Sequence, residues 1–132
     1  EQILKILDVL LRQNKFKLII AHPERMEGDL KIKKAKKAIS KLKEMGFFIQ
    51  VNAGSITGVY GERVKSMAKY LVGNRMADFV ASDAHRDIYY SWHEEASSSV
   101  VKWSDEAYAH RLFYENGRMV FKTKRESFIT GE

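Results

Sequence analysis

Phe16-Lys17-Leu18-Ile19-Ile20-Ala21-His22-Pro23-Glu24-Arg25 is where the architecture of this chain becomes readable. Residues 16–21 are short, apolar and rich in β-formers, and Pro23 cannot continue a central strand. The same outline, an apolar run stopping in a polar cluster, recurs twice. Residues 47–51 (Phe-Phe-Ile-Gln-Val) run into Asn52-Ala53-Gly54-Ser55, and residues 78–81 (Asp-Phe-Val-Ala) run into Ser82-Asp83-Ala84-His85. Between the first two runs, Ile32, Ala35, Ile39 and Leu42 recur at helical spacing up to Gly46, a plausible C-cap. Between the second and third, Val64, Met67, Ala68, Leu71 and Val72 give another stripe, closed by Gly73-Asn74. Strand and helix in alternation predict βα units and a parallel sheet, hence an α/β fold.

Outward from this frame the signals are weaker. The Gly-punctuated stretch 52–61 reads as a flexible loop entering a helix. Residues 90–103 lack a clear pattern, because Ser97-Ser98-Ser99 weakens a helix there. Ser104 then reads as an N-cap, with Asp105 and Glu106 in the first turn of a helix ending at Asn116-Gly117. At the other end, Ile3, Leu4, Leu7, Leu10 and Leu11 form an apolar stripe with no initiating methionine, so the chain reads as a piece of something longer. Three strands cannot close a barrel, and a complete α/β barrel takes roughly 250 residues. As barrel material, this would be about half.

Composition narrows the function. The chain has 132 residues, 45% of them hydrophobic, which suits one globular domain with a real core. It has no cysteine, which removes disulfides, zinc–thiolate sites and the cysteine-based route to phosphate ester hydrolysis. No apolar run approaches membrane-spanning length and no signal-peptide pattern opens the chain, so insertion into a membrane is not expected and a cytoplasmic location is. The net charge of +6 owes much to Lys31, Lys33, Lys34, Lys36, Lys37, Lys41 and Lys43. These lysines suggest an anionic partner such as nucleic acid. A plainer account fits better: they coat the solvent side of an amphipathic helix, and no aromatic residues interleave with them for base stacking. No nucleic-acid partner is expected.

The chemistry gathers at the strand ends, since parallel α/β sheets place their sites at the carboxyl ends of strands. Imidazole and carboxylate are ligands for manganese, iron or zinc, and residues two apart can point the same way, so His22, Asp83 and His85 are candidate metal ligands. Singly, each reads as readily as a structural residue. Arg25 has a guanidinium fork that matches phosphate oxygens, although a carboxylate-paired surface arginine is the commoner case. The loop 52–61 offers backbone amides to an anion, but its glycines fit no dinucleotide or Walker spacing. His93 and His110 lie outside these rims and read as structural, as do Trp92 and Trp103.

Taken together, three segments resemble one family. Ile19 to Arg25 resembles the Ala-His-Pro-Glu-Arg motif of manganese-dependent bacterial tyrosine phosphatases in the polymerase-and-histidinol-phosphatase (PHP) superfamily. Gln50-Val51-Asn52-Ala53-Gly54-Ser55, with Gly58 and Gly61, is similar to their Gln-x-Asn-Ala-Gly-Ser loop, and Ser82-Asp83-Ala84-His85 to their Ser-Asp-Ala-His motif. Leu112-Phe113-Tyr114-Glu115-Asn116 resembles their closing helix. The resemblance implies the C-terminal half of a distorted TIM-like barrel, over 1–132, without the His-x-His half. It implies a manganese cluster with His22, Asp83 and His85 at ligand positions, Arg25 at a phosphate-contacting position, and a metal-bridged hydroxide as nucleophile. The implied substrate is phosphotyrosine on the bacterial tyrosine kinase that drives capsule or exopolysaccharide synthesis. Where the family has asparagine and then a second arginine near Pro-Pro, this chain has Arg86 and Tyr89-Tyr90, so Arg86 is the candidate to replace that arginine. A non-catalytic interaction module and a small-molecule phosphoesterase such as histidinol phosphatase are the alternatives.

Overall fold

Three apolar runs form the sheet: β1 (Ile19–Ala21), β2 (Phe48–Asn52) and β3 (Phe79–Ala81). The computed structural model describes residues 17–26 and 32–120, with Ile6 and Val9 besides. The apolar stripe of Ile3, Leu4, Leu7, Leu10 and Leu11, and Phe16 of the expected first strand, lie outside the described residues. The sheet order is β1-β2-β3 and both pairings are parallel, with Ile20 opposite Ile49 and Val51 opposite Val80. Parallel neighbours require crossovers. These are α1 (Ile32–Glu44) and, after a short helix α2 (Ala53–Thr57), α3 (Glu62–Gly73).

One face of the sheet carries the core. Ile49 and Val51 are completely buried, in a cluster with Ala35 and Ile39 of α1, Ile56 of α2, and Met67, Ala68, Leu71 and Val72 of α3. Strand alternation turns Phe48 and Gln50 to the opposite face, where Phe48 and Phe79 are only half-buried and hold their rings 6.0 Å apart. Helix α1 closes as its glycine foretells. Gly46 adopts φ +89, its N–H donates to the Lys43 carbonyl, and the Phe47 N–H donates to the Leu42 carbonyl. That hydrogen-bond pair is a Schellman cap, and it drops Phe47 into the interior at the head of β2.

The lysine coat is only partly a solvated face. Lys33, Lys34, Lys37 and Lys41 are exposed, but Lys36 lies over the Tyr70 ring at 3.9 Å. The Lys43 ammonium meets the Asp78 carboxylate at 2.6 Å. Asp78 also accepts from the Ile49 N–H and donates its own N–H to the Ile49 carbonyl, so it clamps the start of the β2–β3 ladder.

Four expectations need correction. The stretch after β2 is not simply a loop: Ala53, Gly54, Ser55 and Ile56 are all buried in α2, and a buried backbone must satisfy its own polar groups. Residues 87–103 are ordered as a 3₁₀ segment (Asp87–Trp92) and helix α4 (His93–Trp103), where burial of Ala96 and Val100 outweighs the serine run. The cap before α5 (Glu106–His110) is Asp105, whose Oδ1 accepts the Tyr108 N–H, while Ser104 bonds back to Val100 and closes α4. Nor does Asn116-Gly117 end the helix. A π turn (Arg111–Glu115) leads into helical backbone over 116–120, because Asn116 turns inward to donate to the Asp78 carbonyl. Tyr108 also reaches the sheet, donating its hydroxyl to the Ala77 carbonyl at 2.6 Å, and burial pushes that phenol up to about 12. Among the described residues no helix is long and apolar enough to cross a membrane.

Candidate functional site

Each candidate side chain sits where a strand has just ended. β1 gains one more ladder bond, from the His22 N–H to the Gln50 carbonyl at 2.8 Å. The backbone then turns, with His22 at φ 38, into a 3₁₀ turn over Pro23–Arg25. At the end of β3, Asp83 turns likewise, at φ 50. Only one other described non-glycine residue, Arg75, has positive φ. Histidine and aspartate tolerate this conformation better than most residues, yet it still costs about 1–3 kcal/mol. Two of the three such positions therefore lie in one polar cluster, where the strain aims side chains rather than relaxing them.

Those side chains meet at the Asp83 carboxylate. Oδ2 lies 3.5 Å from the Arg25 guanidinium, 3.9 Å from His22 Nε2, and 3.1 Å from the Asn52 Nδ2 that donates to it. Oδ1 lies 3.5 Å from His85 Nε2. Four of the five residues singled out by sequence thus occupy one rim. Arg86 does not join them: it is exposed, and among the described residues its guanidinium makes no hydrogen bond or ion pair, although its carbonyl accepts the Tyr89 N–H. His93 packs edge-on against Phe113 at 4.8 Å and His110 faces Glu115, both apart from the strand ends.

The residues that hold this cluster were hidden in the motifs. Glu24 is 2% exposed, and its Oε1 accepts the Asn52 N–H at 3.0 Å. Burial pushes its carboxyl above the ordinary range, opposed by the nearby Ser55 hydroxyl and the Asn52 amide. The buried Glu24 Oε2 and Ser55 hydroxyl come close without closing a hydrogen bond. Asn52 is fully buried and fully used: its N–H meets Glu24, its Oδ1 accepts from Gln50, and its amide nitrogen donates to Asp83. One asparagine therefore links all three strand ends. Asn52→Ala is expected to cost about 1–3 kcal/mol in denaturant unfolding, because Gln50 loses its acceptor and Asp83 its donor while only the backbone N–H to Glu24 survives. An unchanged midpoint would show that the linkage carries no stability.

Arg25 is also held from below, its guanidinium 4.1 Å above the Tyr60 ring. Beside it opens a cleft of about 860 Å³ between the end of β1 and the start of α3, lined in part by His22, Arg25, Tyr60 and Arg63. Its lining sets two arginines and an imidazole against one carboxylate, Glu62, a balance that suits an anionic guest.

The donor set has the right chemistry for a divalent transition metal, two imidazoles and a carboxylate. Two donors sharing an ion at about 2.1 Å stand about 3–3.5 Å apart, close to the His85–Asp83 and His22–Asp83 separations of 3.5 and 3.9 Å. Yet among the described residues no three histidine, aspartate or glutamate side chains close into a cage around an ion. The two rings address opposite oxygens of one carboxylate. The residues present fit a metal as part of a ligand set.

A family profile, capsular polysaccharide synthesis, CpsB/CapC, matches residues 2–122. The chain is similar to the tyrosine-protein phosphatase YwqE of Bacillus subtilis, 27% identical over 106 residues, covering 80% of this chain and 41% of YwqE. It is also similar to a structure from crystallographic work on YwqE and on CpsB of Streptococcus pneumoniae, described as unique metal-dependent tyrosine phosphatases. There the TM-score is 0.64 at 30% identity, over 77% of this chain and 40% of that one. The chain thus spans about two-fifths of the length of the relatives it matches.

Proposed function

The chain belongs to the CpsB/CapC family of capsular polysaccharide synthesis, and from that membership we propose that it forms the C-terminal part of a PHP-type barrel hydrolysing phosphotyrosine. The observation that carries this reading is the convergence of Arg25, His22 and His85 on one carboxylate, Asp83, at the carboxyl ends of parallel strands. His22, Asp83 and His85 hold manganese or a similar divalent ion, with the remaining ligands contributed by segments upstream of residue 1. Bound there, the ion supplies Lewis-acid neutralisation of phosphoryl charge and an activated water. Arg25 grips the phosphoryl oxygens and orients the ester, and the exposed Arg86 serves as a second cation. Asn52 and Glu24 fix the rim so that Asp83 does not swing with Arg25. The substrate is phosphotyrosine on a bacterial tyrosine kinase acting in capsule or exopolysaccharide synthesis, in the cytoplasm.

The test is phosphate release by the complete gene product from a phosphotyrosine peptide. A chelator is expected to stop the release and manganese to restore it. Release that persists after exhaustive chelation would remove the metal-dependent reading.

A further inference from the structure

Five rings and cations form an unbroken line around the candidate site. His85 stands edge-on to Tyr89, 6.4 Å between centroids at 88°. Tyr89 stacks on Trp92 at 4.6 Å and 24°, Trp92 meets the edge of Tyr60 at 6.2 Å, and Tyr60 carries the Arg25 guanidinium on its face at 4.1 Å. Both ends of the line, His85 and Arg25, lie 3.5 Å from Asp83. The backbone of α2 passes directly beneath. A Cβ on Gly54 would stand 2.8–2.9 Å from carbons of Trp92 and Tyr60, so glycine is what lets the rings settle there.

Core packing explains only part of this line. Trp92 packs against the hydrophobic core, but Tyr60 and Tyr89 do not belong to that cluster, and both remain partly exposed. They are apolar surfaces fastened to the core through Trp92 and presented beside the phosphoryl-gripping arginine.

We propose that Tyr89, backed by Trp92 and flanked by Tyr60, forms a subsite for the aryl group of a phosphomonoester, making the site selective for aryl over alkyl esters. The inference rests on the phosphoesterase reading above. An ester whose phosphoryl group is held at Arg25 carries its leaving group one oxygen away. An aryl leaving group there lies along Tyr89 and His85, with offset or edge geometry available, while a short alkyl group touches neither. Ring–ring contacts of this kind favour the aryl ligand by roughly threefold to tenfold.

Non-hydrolysable probes separate binding from turnover. In the complete gene product with manganese, calorimetric titration should find phenylphosphonate binding at least about threefold tighter than methylphosphonate. Tyr89→Phe should keep that advantage, because the ring rather than the hydroxyl makes it, and Tyr89→Leu should lose it with methylphosphonate affinity shifting less than about twofold. Phenylphosphonate, and not methylphosphonate, should shift the tryptophan emission, and Trp92→Phe should remove that shift. A phenyl-to-methyl ratio near one in the unmutated protein overturns the subsite without needing any variant to fold. So does a Tyr89→Leu variant that keeps the advantage or weakens both ligands equally. If neither phosphonate binds, the phosphoesterase reading fails and the subsite falls with it.

Discussion

Arg25→Ala is expected to slow turnover of an aryl phosphate by the complete protein roughly thirtyfold to a thousandfold, or about 2–4 kcal/mol of lost transition-state stabilisation. The size follows from how the arginine is held. A 3₁₀ turn fixed by the His22–Gln50 ladder bond starts its chain, the Tyr60 ring lies under its guanidinium, and Asp83 stands 3.5 Å away. A cation so pre-organised costs little reorganisation when phosphoryl charge develops. By contrast, its pairing with Asp83 is partly exposed, with side chains 36% and 29% accessible, and such a pair contributes at most about 1 kcal/mol to stability. Turnover should therefore fall far more than the unfolding midpoint moves. Arg25→Lys should recover only part of the loss, because an ammonium keeps charge but cannot fork across two oxygens. Unchanged kcat and KM in the alanine variant would take Arg25 out of the site.

The legible parts of this molecule were those where polarity changes abruptly along the chain. His22, Asp83 and His85 announce themselves because each follows an apolar run, and a parallel sheet brings such positions to one edge. Glu24 and Asn52 stayed hidden for the opposite reason. A polar residue inside a polar cluster looks solvated, and nothing local says that Glu24 is buried under the end of β2 with Asn52 wedged between Gln50 and Asp83. Serine and aspartate both make good N-caps, so Ser104 and Asp105 could not be told apart until Ser104 was seen bonding back to Val100. Asn116-Gly117 reads as a helix stop by every local rule, and a single tertiary hydrogen bond to the Asp78 carbonyl overrides it. The start of the stretch 90–103 defeated pattern reading because the Trp92 ring answers to Gly54, far back in sequence order, rather than to neighbours at helical spacing.

The 132 residues alone, in excess manganese, are expected to hydrolyse para-nitrophenyl phosphate at least about a thousandfold more slowly than a version extended upstream to the length of its relatives. Ligand supply is the reason. His22, Asp83 and His85 offer three donors, and among the described residues no further histidine or carboxylate joins them into a cage. A two-metal site holds its ions roughly 3.5–4 Å apart, and only anionic or imidazole ligands on both sides keep two cations that close. Water fills coordination positions but does not offset that repulsion, so a second ion binds weakly to this rim and the several kcal/mol of charge stabilisation it brings are lost. The sheet gives a second reason. Among the described strands β1 has no partner on its outer side, and Ile19 is 44% exposed there, which leaves His22 at the end of an edge strand. Strands added upstream would pair that edge and stiffen the ligand most distant from Asp83. Manganese titration should accordingly saturate at higher concentration and lower stoichiometry in the shorter protein. Equal activity and equal metal stoichiometry in the two versions would sink the argument, and would mean that a second copy of the chain completes the centre.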